Sequence, residues 1–433
     1  MSDRPPERVA RGLQSVGASM HAPQHTPHRD ASPARFWLHE EVEIAPLSAE
    51  RFAARVPSIG ASVEGTRYHM ELLESFADWS VPQDVLSQFP FDRGPSEAFI
   101  AACISQGILQ PANTKGKPAL PLRTRPATTL FQTPHFDAST PPAFAFLGVP
   151  FDYATTLNPG ARFGPSAIRQ HGNDCRYTVE PATFEPAGFY DMASGRSLLH
   201  GITLADAGDV YIAPGEAPAA IFERVTRSVQ EILAAGSIPM VMGGDHSITH
   251  AVIRAFEPRT FGIIHLDAHT DLGTAPFDGG IHHGTVFSNV LEDFSHVERL
   301  VQVGLRGFVD GAGQESFACV SSFGIDTFRR SGVETILAAM PDDIPYYMSV
   351  DIDVVDPTFA PATGTPVPGG LYPHELKDLV HQIASRRDII GFDLCEVARP
   401  TGPMDQTAVL ASDTVLTAAD GIVARSFGHP RTI

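Results

Sequence analysis

The stretch YYMSVDIDVVDP, residues 346–357, reads as a buried β-strand that carries Asp351 and Asp353 where apolar side chains belong. Residues i and i+2 of a strand point to one face, so the two carboxylates would lie side by side. A buried, unpaired carboxylate is costly, and two neighbouring ones repel. Something positive should sit between them. Outward from this stretch lie further near-continuous apolar runs: AFAFLGV (143–149), GITLADAGDV (201–210), IPMVMGG (238–244), FGIIHLDAH (261–269), RLVQVGLRG (299–307) and DIIGFDLCEV (388–397). Amphipathic helical segments alternate with them, notably 217–236 and 247–256. Buried strands separated by such helices predict a mostly parallel sheet covered on both faces, with ligands held at the carboxyl ends of its strands.

Composition bounds the rest. Apolar residues at 43% and charged ones at 19% fit a soluble globular protein, and 433 residues leave room for more than one domain. A formal charge of −19 argues against nucleic acid or an anionic membrane as a partner and suits a cationic substrate. No apolar run reads as membrane-spanning and the first residues carry no signal-like segment, so the expected location is cytoplasmic. The cysteines Cys103, Cys175, Cys319 and Cys395 are scattered, which excludes a thiolate zinc motif. Residues 1–35 read as a disordered tail. Residues 36–110 read as a small helical module, weakly similar to a winged helix, and 111–142, rich in proline, as an extended linker. The main domain is then 143–433.

Polar residues cluster at the strand ends. GGDHS supplies Asp245 and His246; HLDAHTD supplies Asp267, His269 and Asp271; SVDIDVVDP supplies Asp351 and Asp353; CEV supplies Glu396. A lone Asp at such a place is usually a loop cap, and a lone His a satisfied core residue. Four carboxylates and two imidazoles converging from three clusters are too many for one ion and suit two. Without a cysteine, this is a hard-to-borderline donor set, fitted to Mn2+ with Ni2+ or another transition ion as the alternative. A water between two such ions would be acidified toward hydroxide at neutral pH.

With GVPFD and PGARFGPSAIR near the domain's start and ATGTPVPGG after SVDIDVVDP, these motifs resemble those of the ureohydrolases, the arginase and agmatinase family, over about 143–433. The resemblance implies a three-layer αβα sandwich and hydrolysis of a guanidino group to urea plus an amine. It implies one ion on His246, Asp267, Asp271 and Asp351, and another on Asp267, His269, Asp351 and Asp353. It also implies that Glu396 receives the guanidinium, that His283 in IHHGT shuttles protons with Asp271, that Thr365 lines the pocket, and that the chain forms trimers or hexamers. His282 is easily confused with His283. Gly273 stands where arginases place an amide side chain, so a small agmatinase-like substrate is expected over free arginine. Alternatives are a peptidyl-arginine hydrolase that uses the N-terminal module, a formiminoglutamate hydrolase, and a non-catalytic metal-binding scaffold. Asp351→Ala should lose metal and activity together. Glu396→Gln should keep its metal content, read by elemental analysis, and lose turnover.

Overall fold

Along the strand Ile238–Met242, Met240 and Met242 join one apolar cluster while Val241 joins another. The sheet is thus buried on both faces, and a period of two is all that sorts its side chains between them. The computed structural model describes residues 36–428 apart from 39–41, 49, 57–60, 75, 77–81, 83–84, 87–92, 112–119, 154, 173–174, 274–279, 309–316 and 399–404. The expected tail, 1–35, lies outside the described residues. The chain divides into two units, Met1–Pro118 and Ala119–Ile433.

The first unit carries β1 (Phe36–Leu38), β2 (Glu43–Pro46), β3 (Arg51–Val56), β4 (Ala61–Thr66), α1 (Arg67–Glu74), α2 (Arg93–Ser105) and β5 (Leu109–Pro111). Strands β2, β3 and β4 form an antiparallel sheet, and β1 pairs with β5. Leu72, Leu73 and Phe76 are fully buried, as their helical spacing requires, with Ile100, Cys103 and Ile108 against them. Among the described residues, two helices stand in this unit beside five strands, so the module is not the mainly helical one expected. The sheet ahead of them was not anticipated, because RFAARV and ASVEGT alternate small and polar residues and show little β-branched or aromatic signal.

The second unit is built on nine strands in the order β14-β13-β12-β15-β16-β11-β7-β10-β6. These are β6 (Arg123–Thr124), β7 (Phe144–Gly148), β10 (Leu204–Val210), β11 (Ile238–Met242), β12 (Phe261–Leu266), β13 (Val297–Leu305), β14 (Val320–Gly324), β15 (Tyr346–Asp351) and β16 (Ile389–Cys395). A side hairpin holds β8 (Phe189–Asp191) and β9 (Arg196–Leu198). Every pairing in the large sheet is parallel except β6 on β10. One face is covered by α3 (Gly164–Gly172), α7 (Ile325–Ala338), α8 (Pro373–Arg386) and α9 (Gln406–Gly428); the other by α4 (Pro218–Ala234), α5 (Ile248–Arg254) and α6 (Val286–Asp293). The architecture is the expected αβα sandwich.

Two expectations need correction. Residues 120–142 are built into this unit rather than forming a free linker: Arg123–Thr124 is the edge strand, and Leu130 and Phe131 are buried in the core. Proline fixes φ but leaves an edge strand possible, and the apolar pair in TTLFQT was the overlooked signal. The helix α9 is also long and apolar enough to cross a membrane by length and composition. Its Ala411, Val415 and Ala418 are instead buried in the core of this unit, and it packs along α8 and α3.

Arg169 on α3 locks the segment down. Its guanidinium donates Nε to Asp206 Oδ2 at 2.8 Å and Nη2 to Asp206 Oδ1 at 3.0 Å, and Asp206 Oδ2 also accepts the Leu130 N–H at 2.8 Å. Both partners are buried. Asp206→Ala leaves the buried guanidinium on Asp209 and the Gly208 carbonyl, without its bidentate partner, and should cost about 3 kcal/mol in urea unfolding. Asp209→Ala, at the partly exposed partner of the same arginine, should cost less.

Candidate metal centre

Strands β12, β15, β16 and β11 are consecutive neighbours in the sheet, so their carboxyl ends open side by side. After β11 the chain turns so tightly at Gly244 that a Cβ there would lie 1.7 Å from the Phe151 carbonyl oxygen. Only glycine fits, and the next amide, Asp245, donates to that carbonyl at 2.7 Å. Asp245 Oδ1 accepts the Ser247 amide at 3.1 Å, the loop-capping role of an ordinary Asp. His246 then enters the site, fully buried. Asp351 and Asp353 come together by a route other than strand alternation. Strand β15 ends at Asp351, residues Ile352–Val354 form a 3-10 turn, and Asp351 Oδ1 accepts the Asp353 amide at 2.8 Å. The side chain captures its own backbone two residues on, which breaks the strand.

All six expected metal-ligand residues meet. His246 Nδ1 lies 3.3 Å from Asp267 Oδ2, 3.2 Å from Asp271 Oδ2 and 3.4 Å from Asp351 Oδ2. His269 Nδ1 lies 3.3 Å from Asp267 Oδ1 and 3.0 Å from Asp353 Oδ2. Asp267 therefore offers one oxygen toward each histidine, as a bridge would. Asp351 turns Oδ2 toward His246 and gives Oδ1 to the Asp353 amide. Separations of this size among donor atoms match the edges of a coordination shell whose bonds are about 2.0–2.2 Å long.

The donor set fits a cation on a second ground. His246 Nε2 lies 2.8 Å from Ser349 Oγ, which itself donates to Asp393 Oδ1 at 2.6 Å. The serine hydrogen is committed, so Nε2 carries the imidazole proton and Nδ1 faces the three carboxylates. Nδ1 has no hydrogen bond among the described residues. Burial would lower the His246 pKa, yet Asp267, Asp271 and Asp351 hold it well above its ordinary value. Burial, with Asp353 and Asp267 alongside, pushes Asp351 well above the carboxylate range. The pit demands positive charge. A proton on each of His246 and His269 offsets two of its four aspartates, whereas two divalent cations offset all four.

Beside the pit stands Glu396. Its Oε1 accepts the His246 amide at 2.9 Å, and its buried Oε2 has no hydrogen-bond partner among the described residues. His283 points its Nδ1 at Glu396 Oε1, 3.6 Å away, and its Nε2 at Thr156 Oγ1, 3.0 Å away. His282 is set apart: its Nδ1 accepts the Gly284 amide at 3.2 Å and caps the turn. Thr365 donates its hydroxyl to Asp353 Oδ2 at 3.1 Å. At Gly273 a Cβ would lie 2.7 Å from the Gly284 carbonyl oxygen, so the loop turns where a side chain would collide. The sequence reading missed Ser349, Asp393, His265, Gln302 and Thr156. For the first four the available signal was a polar residue inside an otherwise apolar strand; for Thr156 there was none.

Comparison with known proteins shows the family. The Arginase family model matches residues 142–420. A guanidinobutyrase from Pseudomonas aeruginosa is 33% identical over 295 residues, 65% of this chain and 88% of that one. A mitochondrial agmatinase from Gallus gallus is 32% identical over 278 residues, 62% of this chain and 78% of that one. The solved structure of proclavaminate amidino hydrolase from Streptomyces clavuligerus superposes with a TM-score of 0.58 at 30% identity, covering 71% of this chain and all of that one. The chain belongs to the arginase family of ureohydrolases, and is a hydrolase.

Proposed function

We propose that this chain hydrolyses the guanidino group of a small cationic compound of the agmatine or guanidinobutyrate kind to urea and an amine. His246, Asp267, His269, Asp271, Asp351 and Asp353 would hold two divalent ions, Mn2+ first and Ni2+ as the alternative. The observation that carries this reading is the His246 Nδ1 facing three buried carboxylate oxygens at 3.2–3.4 Å. When bound, the ions supply Lewis acidity and an acidified water as nucleophile.

The protein's own groups do the rest. Glu396 Oε2, buried and without a hydrogen-bond partner among the described residues, receives a guanidinium nitrogen, and the His246 amide on Oε1 keeps the carboxylate from rotating away. Fixing the cation beside the nucleophile is the positioning term of catalysis. His283 stands within reach of Glu396, and Thr156 sets its ring orientation. Burial keeps the His283 pKa below its ordinary value, so the neutral ring is ready to take a proton and hand it to the leaving amine, with Asp271 as the second carrier. The relatives named for small guanidino compounds support this substrate class over a peptide, and Gly273 supports it over free arginine.

Urea release, screened over guanidine, agmatine, guanidinobutyrate, guanidinopropionate, arginine and an arginine-containing peptide with Mn2+ or Ni2+, tests the reading. A small guanidino compound should give urea, and Asp353→Ala should abolish it. Two bound ions with no urea from any compound would favour a scaffold, and formamide release when formiminoglutamate is added to the screen would change the substrate class. A second measurement isolates the guanidinium slot. A Cβ at Gly364 would lie 2.7 Å from Glu396 Oε2, so Gly364→Ala should leave metal content unchanged and raise KM at least tenfold, the effect of about 1.4 kcal/mol.

A further inference from the structure

The sheet carries a polar row two residues before Asp267 and Asp351. Register places Ser322, Gln302, His265, Ser349 and Asp393 side by side on β14, β13, β12, β15 and β16. Such a row is expensive in a sheet buried on both faces unless each group is satisfied. Ser349 and Asp393 are accounted for by His246. The other half leads elsewhere.

His265 is fully buried, and its Nε2 lies 2.8 Å from Asp267 Oδ2. By proximity alone it belongs with His246, Asp267 and Asp271 as a donor cluster, which makes it a candidate metal ligand. The hydrogen bonds decide against that. Gln302 Nε2 lies 2.6 Å from the Thr270 carbonyl oxygen and 3.0 Å from His265 Nδ1, while Gln302 Oε1 accepts from Ser322 Oγ at 3.1 Å. An amide flip would press Oε1 against the Thr270 carbonyl, so the nitrogen faces both acceptors. His265 Nδ1 is then an acceptor, its proton sits on Nε2, and that N–H donates to Asp267. At 2.8 Å this contact is also shorter than the 3.2–3.4 Å gaps around His246. Phe287, its ring centroid 4.2 Å from that of His265, fills the space beside the imidazole.

We propose that His265 and Gln302 are positioning residues for the metal pair: Gln302 fixes the tautomer and tilt of His265, and His265 holds Asp267 with one oxygen toward His246 and the other toward His269. Gln302 also ties down the Thr270 carbonyl, and with it the turn that presents Asp271. This inference rests on the binuclear reading above. Partners of this kind contribute about 10–100-fold to metal affinity.

Metal affinity and stoichiometry measure this directly, without activity. Mn2+ is titrated into the full chain against a competing chelator for the wild type, Gln302→Leu, His265→Phe and His265→Gln. The wild type should take two ions. Gln302→Leu and His265→Phe should still take two at saturation, with affinity lowered about 10–100-fold. His265→Gln, whose amide can donate from the place of Nε2, should recover part of that loss. Wild-type affinity in both Gln302→Leu and His265→Phe overturns the inference. A stoichiometry of one in both His265 variants also overturns it, by making His265 a ligand. Fewer than two ions on the wild type defeats the binuclear reading itself, a distinct failure. Should His265→Phe not fold, Gln302→Leu alone decides.

Discussion

Four aspartates and a glutamate crowd the tips of adjacent strands, and their mutual repulsion is the constraint around which the larger unit is organised. Two unit charges 4 Å apart repel by about 4 kcal/mol at an effective dielectric near 20. No single element could hold five of them. The sheet can, because parallel strands bring several carboxyl ends to one edge, and the two apolar clusters behind them supply the burial that keeps the edge in place.

The tips are also stitched to one another. Glu396 Oε1 takes the His246 amide, which ties β16 to the turn after β11. Asp353 Oδ1 takes the Ala268 amide at 3.1 Å, which ties β15 to the turn after β12. Asp267 Oδ1 takes the His269 amide at 2.6 Å. These carboxylates meet a backbone N–H on one oxygen, and on Asp353 and Glu396 the other oxygen is the one that faces a neighbouring site group or open slot. Arg306 works from the opposite side. Its guanidinium donates to the carbonyls of Asp353, Val354 and Val367, so the turn that carries Asp353 and the segment after Thr365 move as one. The result is a negatively charged pit whose walls resist spreading.

Much of this was legible in the sequence, and what was not has physical reasons. Apolar strands and the acids at their ends were visible because a parallel sheet buried on both faces cannot tolerate such residues without a purpose. The Asp351–Asp353 pair was seen, but its geometry was misjudged: strand periodicity cannot show that an Asp will cap its own backbone and end the strand. Edge strand β6 went unseen because two residues leave no periodic pattern. His265 and Gln302 were passed over because each looks like an isolated flaw in a strand. Only register, which sequence spacing does not supply, reveals them as neighbours in a row.

Positive φ occurs at Phe131, Gln132, Phe184 and Leu199 and, within the site, at two of its acids. Asp271 and Glu396 have φ of 51° and 64°, the left-handed region that a side chain occupies at a cost. Glycine would remove the cost and with it the carboxylate. A regular strand continuation at Glu396 would turn its side chain, like that of Leu394 two residues earlier, toward the apolar cluster on one face of the sheet. The strain is held by bonds on either side: the Glu396 amide donates to the Gly244 carbonyl at 2.9 Å, and the Asp271 carbonyl accepts the Phe287 amide at 3.1 Å. Both strained residues aim a carboxylate at the pit from a turn, the two others that flank His246 come from β15 and its neighbour β12, and the strained pair are the two acids to which the proposed reaction assigns substrate binding and proton transfer. Stability is given up at the positions where a relaxed backbone would point the chemistry elsewhere.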